Sequence, residues 1–251
     1  MSITAHSTAL ALMGLTALAA ASGCSLAPAS EAQEAGAETV QTADSLFDAY
    51  LEEDRGLIAR FEARSDTGVV DELAHRTARD QAIRQLMLEL LQTPGAGPDE
   101  AAFTWIRLVR RMQQLDRDNA SWLQDELTER TWFTISEYGA EADNNAFLIV
   151  QHATHDPDFM RDIHTRFTRL LPLNEIAPDN YALLTDRLAV MDGAPQPYGS
   201  QFECHEGEQR LQTELADSEA VTDERRAEVG LPTLAEYRAL LPDCGSLPGG
   251  G

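Results

Sequence analysis

The sequence predicts a mainly α fold, a single helical domain with a small β-hairpin near residues 196–215. Three observations predict it. Apolar residues recur at helical spacing from Leu46 to Leu188, recognisable caps and breakers divide that run, and Pro195, Pro197 and Gly199 then forbid helix.

Leu46, Phe47, Tyr50, Leu51, Leu57, Ile58 and Phe61 mark a first amphipathic helix, with Asp44 or Ser45 as its cap. A second runs from about Asp71 to Leu91 and stops at Thr93-Pro94-Gly95-Ala96-Gly97-Pro98, whose prolines and glycines cannot continue it. A third starts near Asp99, with Trp105, Val109, Met112, Leu115, Trp122 and Leu123 as core positions and a break near Asp118-Asn119. Thr131 to Gly139 reads as irregular. From Glu141 a helix carries the uninterrupted apolar run Ala146-Phe147-Leu148-Ile149-Val150, expected in the middle of the domain, and ends in Gln151-His152. Asp156-Pro157 starts another, the carboxylate capping free amides while proline takes the first turn. The next begins near Pro178 and reaches Asp192-Gly193. After the hairpin, placed around Cys204-His205-Glu206-Gly207, two short helices close the chain. One ends on Gly230, and the other opens with the capping box Thr233-Leu234-Ala235-Glu236. Residues 44–93 thus form N-terminal helices, 99–244 the main helical domain and 245–251 a disordered tail.

The segment before these helices carries an address. Thr8 to Ala21 is uncharged and shorter than the roughly 20 apolar residues a permanent span needs, so residues 1–23 read as a signal peptide. Ala21-Ser22-Gly23-Cys24 fits a lipoprotein cleavage site, with Cys24 taking the lipid; an ordinary secretory leader cut after Ala21 or Ala29 is the alternative. Both place the domain outside the cytoplasm, and the first makes it a lipid-anchored cell-envelope protein. Ser25 directly after Cys24 favours the outer membrane. Residues 24–43 are Ala, Glu, Gln, Ser and Thr with little to bury, a flexible tether. Outside the cytoplasm the two remaining cysteines, Cys204 and Cys244, are expected to pair as a disulfide.

With a net charge of −23, the chain is a poor partner for nucleic acid, whose phosphates need clustered cations. All 19 basic residues are arginine. There is no internal repeat and no glycine-rich phosphate loop.

Five polar blocks stand out in this frame: Asp80-Gln81 with Arg84, Gln151-His152, Tyr181 with Asp186-Arg187, Gln196 with Tyr198-Gly199-Ser200-Gln201, and Val229-Gly230-Leu231 with Tyr237. In this order, from Asp80 to Tyr237, they resemble an uncharacterised bacterial family, domain of unknown function 6624. This chain has Ser200 where that family more often has Thr, and Trp132-Phe133 where it usually has Trp-Pro after a Gly. The resemblance implies which residues matter and no activity. Residues 44–79 lie outside it and read as an added helical collar.

Each block has a sharp and a bland reading. Histidine moves protons near neutral pH, yet a buried histidine often only satisfies a backbone carbonyl. Asp186-Arg187 is either a local ion pair or an orienting carboxylate beside an anion-binding guanidinium. Gln196 to Gln201 either presents Tyr198 and Gln201 to a ligand or packs on the helices. Asp80 and Arg84 share one helical turn and could be a surface pair. If the blocks converge, the expectation is a hydrolase or transferase. His152 would be its acid or base, Asp186 would orient it, and Asp80, Gln81, Arg84, Gln151, Arg187, Gln196, Tyr198 and Gln201 would hold a small molecule or envelope polymer. The alternative is a non-catalytic binding protein. No cofactor and no metal is predicted. His155-Asp156, with His152, Asp158 and His164 nearby, is similar to the dyad of helical metal phosphohydrolases but lacks that superfamily's other ligands. Ser200 has no nucleophile-elbow signature.

Overall fold

In the computed structural model, residues 42–241 and Cys244 are described. The expected signal peptide, Cys24, nearly all of the expected tether and residues 245–251 lie outside the described residues. The described chain is mainly α with one two-stranded antiparallel sheet.

Helix α1 (Ala43–Glu62) is capped by Thr42 rather than Asp44 or Ser45; the Thr42 hydroxyl accepts from Ser45 N–H, and Ser45 reciprocates. Its apolar face packs on α2 (Val69–Gln92) and α3 (Ala102–Glu126), burying Leu46, Phe47 and Tyr50 against Ile83, Leu86, Leu90, Leu108 and Leu115. The break expected in α3 does not occur. Exposed Asp118 accepts from Gln114 one turn back, and buried Asn119 accepts from Arg76, so both polar side chains find partners with the helix intact.

A short helix, α4 (Ile135–Tyr138), interrupts the stretch read as irregular, pinned by bonds from Ile135 N–H and Ser136 to Glu175. Helix α5 (Ala140–His152) runs through the larger core. Ala146, Phe147, Ile149 and Val150 are buried among Trp132, Phe133 and residues of α6 (Pro157–Leu170) and α7 (Pro178–Met191). Asp156 caps α6 by accepting from Phe159 N–H. Within this core, Asp143 is fully buried and takes bonds from Trp132 Nε1, Ala177 N–H and Asn180.

The hairpin pairs β1 (Phe202–His205) with β2 (Glu208–Leu211) across Glu206-Gly207. Both turn residues have positive φ, 52° and 77°, as a two-residue hairpin matching strand twist requires. Helices α8 (Glu219–Glu228) and α9 (Leu234–Leu240) follow, the latter with the expected Thr233–Glu236 capping box. Cys204 and Cys244 form a disulfide. Closing a loop of sequence separation 40 contributes about 4 kcal/mol through the unfolded chain.

Candidate functional site

Four helices bring polar side chains to one buried point. Asp80, Gln81 and Arg84 come from the middle of α2, Met112 and Asp116 from facing turns of α3, His152 from the last residue of α5, and Arg187 from α7. Asp80 is buried, and the His152 and Arg84 side chains are 14% and 13% exposed. Asp80 Oδ2 lies 2.9 Å from His152 Nδ1 and accepts from Gln81 Nε2 at 2.9 Å. Arg84 bridges both carboxylates, its NH2 being 3.1 Å from Asp80 Oδ1 and 2.5 Å from Asp116 Oδ1, while NH1 meets Met112 Sδ.

This network sets the tautomer of His152. Arg84 Nε lies 3.1 Å from Nδ1 but also 3.2 and 3.3 Å from the two Asp80 oxygens. Its proton is better placed on the anionic carboxylate, because charge-assisted bonds are the stronger ones. Nδ1 therefore carries hydrogen and donates to Asp80, leaving the Nε2 lone pair unused by any described residue. Burial pushes the His152 pKa down, outweighing the Asp80 charge that would raise it, so the ring is neutral at pH 7. Burial opposes ionisation of Asp80 too, but His152 and Arg84 prevail and hold it at about 2. Asp116 goes the other way. Burial and then the neighbouring Asp80 charge, against the attraction of Arg84, push it up to about 7.

A guanidinium without an anion adjoins this cluster. The charge of Arg187 bears on both His152 and Arg84, and its Nε is buried with no hydrogen-bond partner. No described carboxylate pairs with it. Gln151 is buried one residue before His152.

Asp186, the next residue on α7, belongs to a different network. Fully buried, it accepts from Tyr198 N–H at 2.9 Å and Ser200 N–H at 2.7 Å, fastening the 196–201 loop to the helix. Gln196 clips the same loop internally: its amide donates to the Gln201 and Thr213 carbonyls and accepts from Gln201 N–H. Gln201 Nε2 meets Ser200 Oγ. Gly199, at φ 62°, passes so close to Leu215 and Leu234 that a Cβ would sit 2.6 and 2.8 Å from their methyls. Arg226, also fully buried, holds the loop from α8 by donating to the carbonyls of Tyr198, Gly199 and Pro232, and its guanidinium lies over the Tyr237 ring.

The sequence blocks thus converge in two neighbouring networks. His152, Asp80, Gln81, Arg84 and Arg187 gather at the first. Asp186, Gln196, Tyr198 and Gln201 gather at the second, and the carboxylate that orients His152 is Asp80 in place of Asp186. Asp116 and Arg226 were missed. Each sits in a charged run, Asp116-Arg117-Asp118 and Asp223-Glu224-Arg225-Arg226, that reads as a solvated face; only the apolar register of α3, in which Asp116 follows Met112 and Leu115, hints at its inward position. His155 is exposed, Asp156 is a cap, and His164 contacts Thr185 and Tyr181, so the dyad region forms no cluster with His152.

Among the described residues one trio, Asp80, Asp116 and His152, places potential metal donor atoms within 4.8 Å of one another. Arg84 already stands between the two carboxylates and supplies the positive charge that a cation would bring.

Residues 67–248 match the family described as "Family of unknown function (DUF6624)", and the chain belongs to that family. The match reaches beyond Asp80–Tyr237 at both ends. It takes in the whole of α2, which supplies Asp80, and both disulfide cysteines, so of the described helices α1 alone lies outside it. No curated protein and no solved structure matches the chain.

Proposed function

We propose that this member of the family is an exported, lipid-anchored protein of the cell envelope whose helical domain is a hydrolase or transferase. His152 is its general base. Nε2 takes the proton of a water or hydroxyl nucleophile, while Asp80 fixes the ring through Nδ1–H and stabilises the imidazolium that forms. Asp116, part-protonated near neutral pH, is placed to return a proton to the leaving group, and Arg84 keeps the two carboxylates apart in role. The observation that carries this reading is the 2.9 Å contact between buried Asp80 and His152 Nδ1, which leaves the other ring nitrogen unused by any described residue.

The test is a screen of chromogenic carboxylic esters, phosphoesters, glycosides and amides with the wild type and His152→Gln. The expected outcome is turnover of one class, reduced roughly 10²- to 10⁴-fold in the variant. No turnover in any class would leave the non-catalytic binding reading in its place, and a variant as fast as the wild type would show that His152 is not the base. The address is tested separately by incorporation of labelled fatty acid, which Cys24→Ser should abolish.

A further inference from the structure

Two arginines, Arg226 fully buried and Arg187 half-buried, sit differently in this interior. Arg226 donates to three backbone carbonyls and lies against the face of Tyr237. Those bonds explain why it is there: it ties a loop to a helix. Arg187 has none of them. No described residue accepts a hydrogen bond from its guanidinium, its Nε is buried, and the groups bearing on it electrostatically are the Tyr237 phenol and a second cation, Arg84.

A charge placed this way costs stability, since desolvating an ion without a partner is expensive. Charge balance at the centre points to what would offset that cost. Arg84 faces two carboxylates, of which Asp80 is anionic and Asp116 is largely neutral below pH 7, and His152 is neutral. Arg84 and Asp80 cancel, and Arg187 is left over. The centre therefore carries one excess positive charge at the heart of a chain whose net charge is −23.

We propose that Arg187 anchors a single oxyanion, a carboxylate or phosphoryl group, of the molecule on which the His152 centre acts. The inference rests on the acid–base reading for the identity of the site, but its prediction is of binding alone. The guanidinium is a planar fork that suits either oxyanion through two parallel hydrogen bonds, and the neighbouring imidazole Nε2 would then lie beside the anchored group.

The experiment is calorimetric titration of the full domain at pH 6.5 and low ionic strength with inorganic phosphate, with acetate and with neutral acetamide. Saturable binding of phosphate or acetate, and none of acetamide, is expected; which anion binds identifies the group. Arg187→Gln should weaken that binding at least tenfold, and Arg187→Lys, which keeps the charge without the fork, should fall between. If Arg187→Gln does not fold, Arg187→Lys alone decides, since its binding must drop measurably below the wild type's. Absence of saturable binding by either anion, or equal affinity in the variants, would overturn the proposal. Anion binding through Arg187 with no turnover in the substrate screen would sink the enzymatic reading and leave this one standing.

Discussion

Asp80 and Asp186 are both buried aspartates contributed by long helices, and they do opposite things. Asp186 points its two oxygens at the amides of Tyr198 and Ser200, and the loop it holds is closed on itself by Gln196 and locked from behind by Arg226. The loop amides and the Gln196 and Gln201 side chains have their partners there, and Arg226 spends Nε and NH1 on backbone carbonyls, though its NH2 finds no partner among the described residues. Around Asp80 more capacity is left over among the described residues: His152 Nε2 meets no partner, Asp116 is pushed up to about 7, and the buried Nε–H of Arg187 has no acceptor. Buried polar groups that are fully paired belong to the architecture, and those left incomplete mark where a ligand or a proton is expected.

Substitution separates the two networks. Asp186→Ala removes the acceptor of two buried amides, each worth about 1–3 kcal/mol when orphaned. Urea denaturation should show a loss of about 4 kcal/mol, the largest of these effects. A loss under about 1 kcal/mol would mean that the loop is not held as described.

The smaller effect concerns Asp116 and has a definite sign. Its folded pKa, about 7, lies above the unfolded value of 3.8. The native state therefore binds the proton more tightly, and the associated stability is present below pH 3.8 and is lost as pH rises through 7. Asp143, pushed up to about 6 chiefly by burial, slopes the same way, so the comparison must be with a variant. Relative to the wild type, Asp116→Asn should gain on the order of 3 kcal/mol between pH 4 and pH 8, read from urea midpoints at each pH. A constant difference across that range would place Asp116 in an ordinary, solvated setting.

Much of this was legible in the sequence. The helix starts at Asp156-Pro157 and Thr233, the stop at Thr93–Pro98, the hairpin turn and the disulfide all follow from local chemistry, and local chemistry prevailed. The break expected at Asp118-Asn119 failed because tertiary partners satisfied both side chains inside an unbroken α3. At the site, the polar blocks named most of the right residues but not their pairing. Asp186 and Arg187 are adjacent in sequence, yet successive helical residues point about 100° apart, so one faces the loop and the other the His152 centre. Periodicity alone could not tell which carboxylate reached the histidine across 72 residues of chain; that depends on how α2 and α5 pack.

The central claim is that burial keeps His152 neutral while Asp80 fixes its tautomer, with hydrogen on Nδ1 and the Nε2 lone pair unused by any described residue. Long-range ¹H–¹⁵N correlation spectra of histidine-labelled protein over a pH titration read this directly. The expected spectrum at pH 7 shows the His152 ring neutral with a protonated Nδ1, titrating below the ordinary 6.5, and Asp80→Asn should disturb that tautomer. A ring protonated on Nε2, or an imidazolium persisting at pH 7, would contradict it.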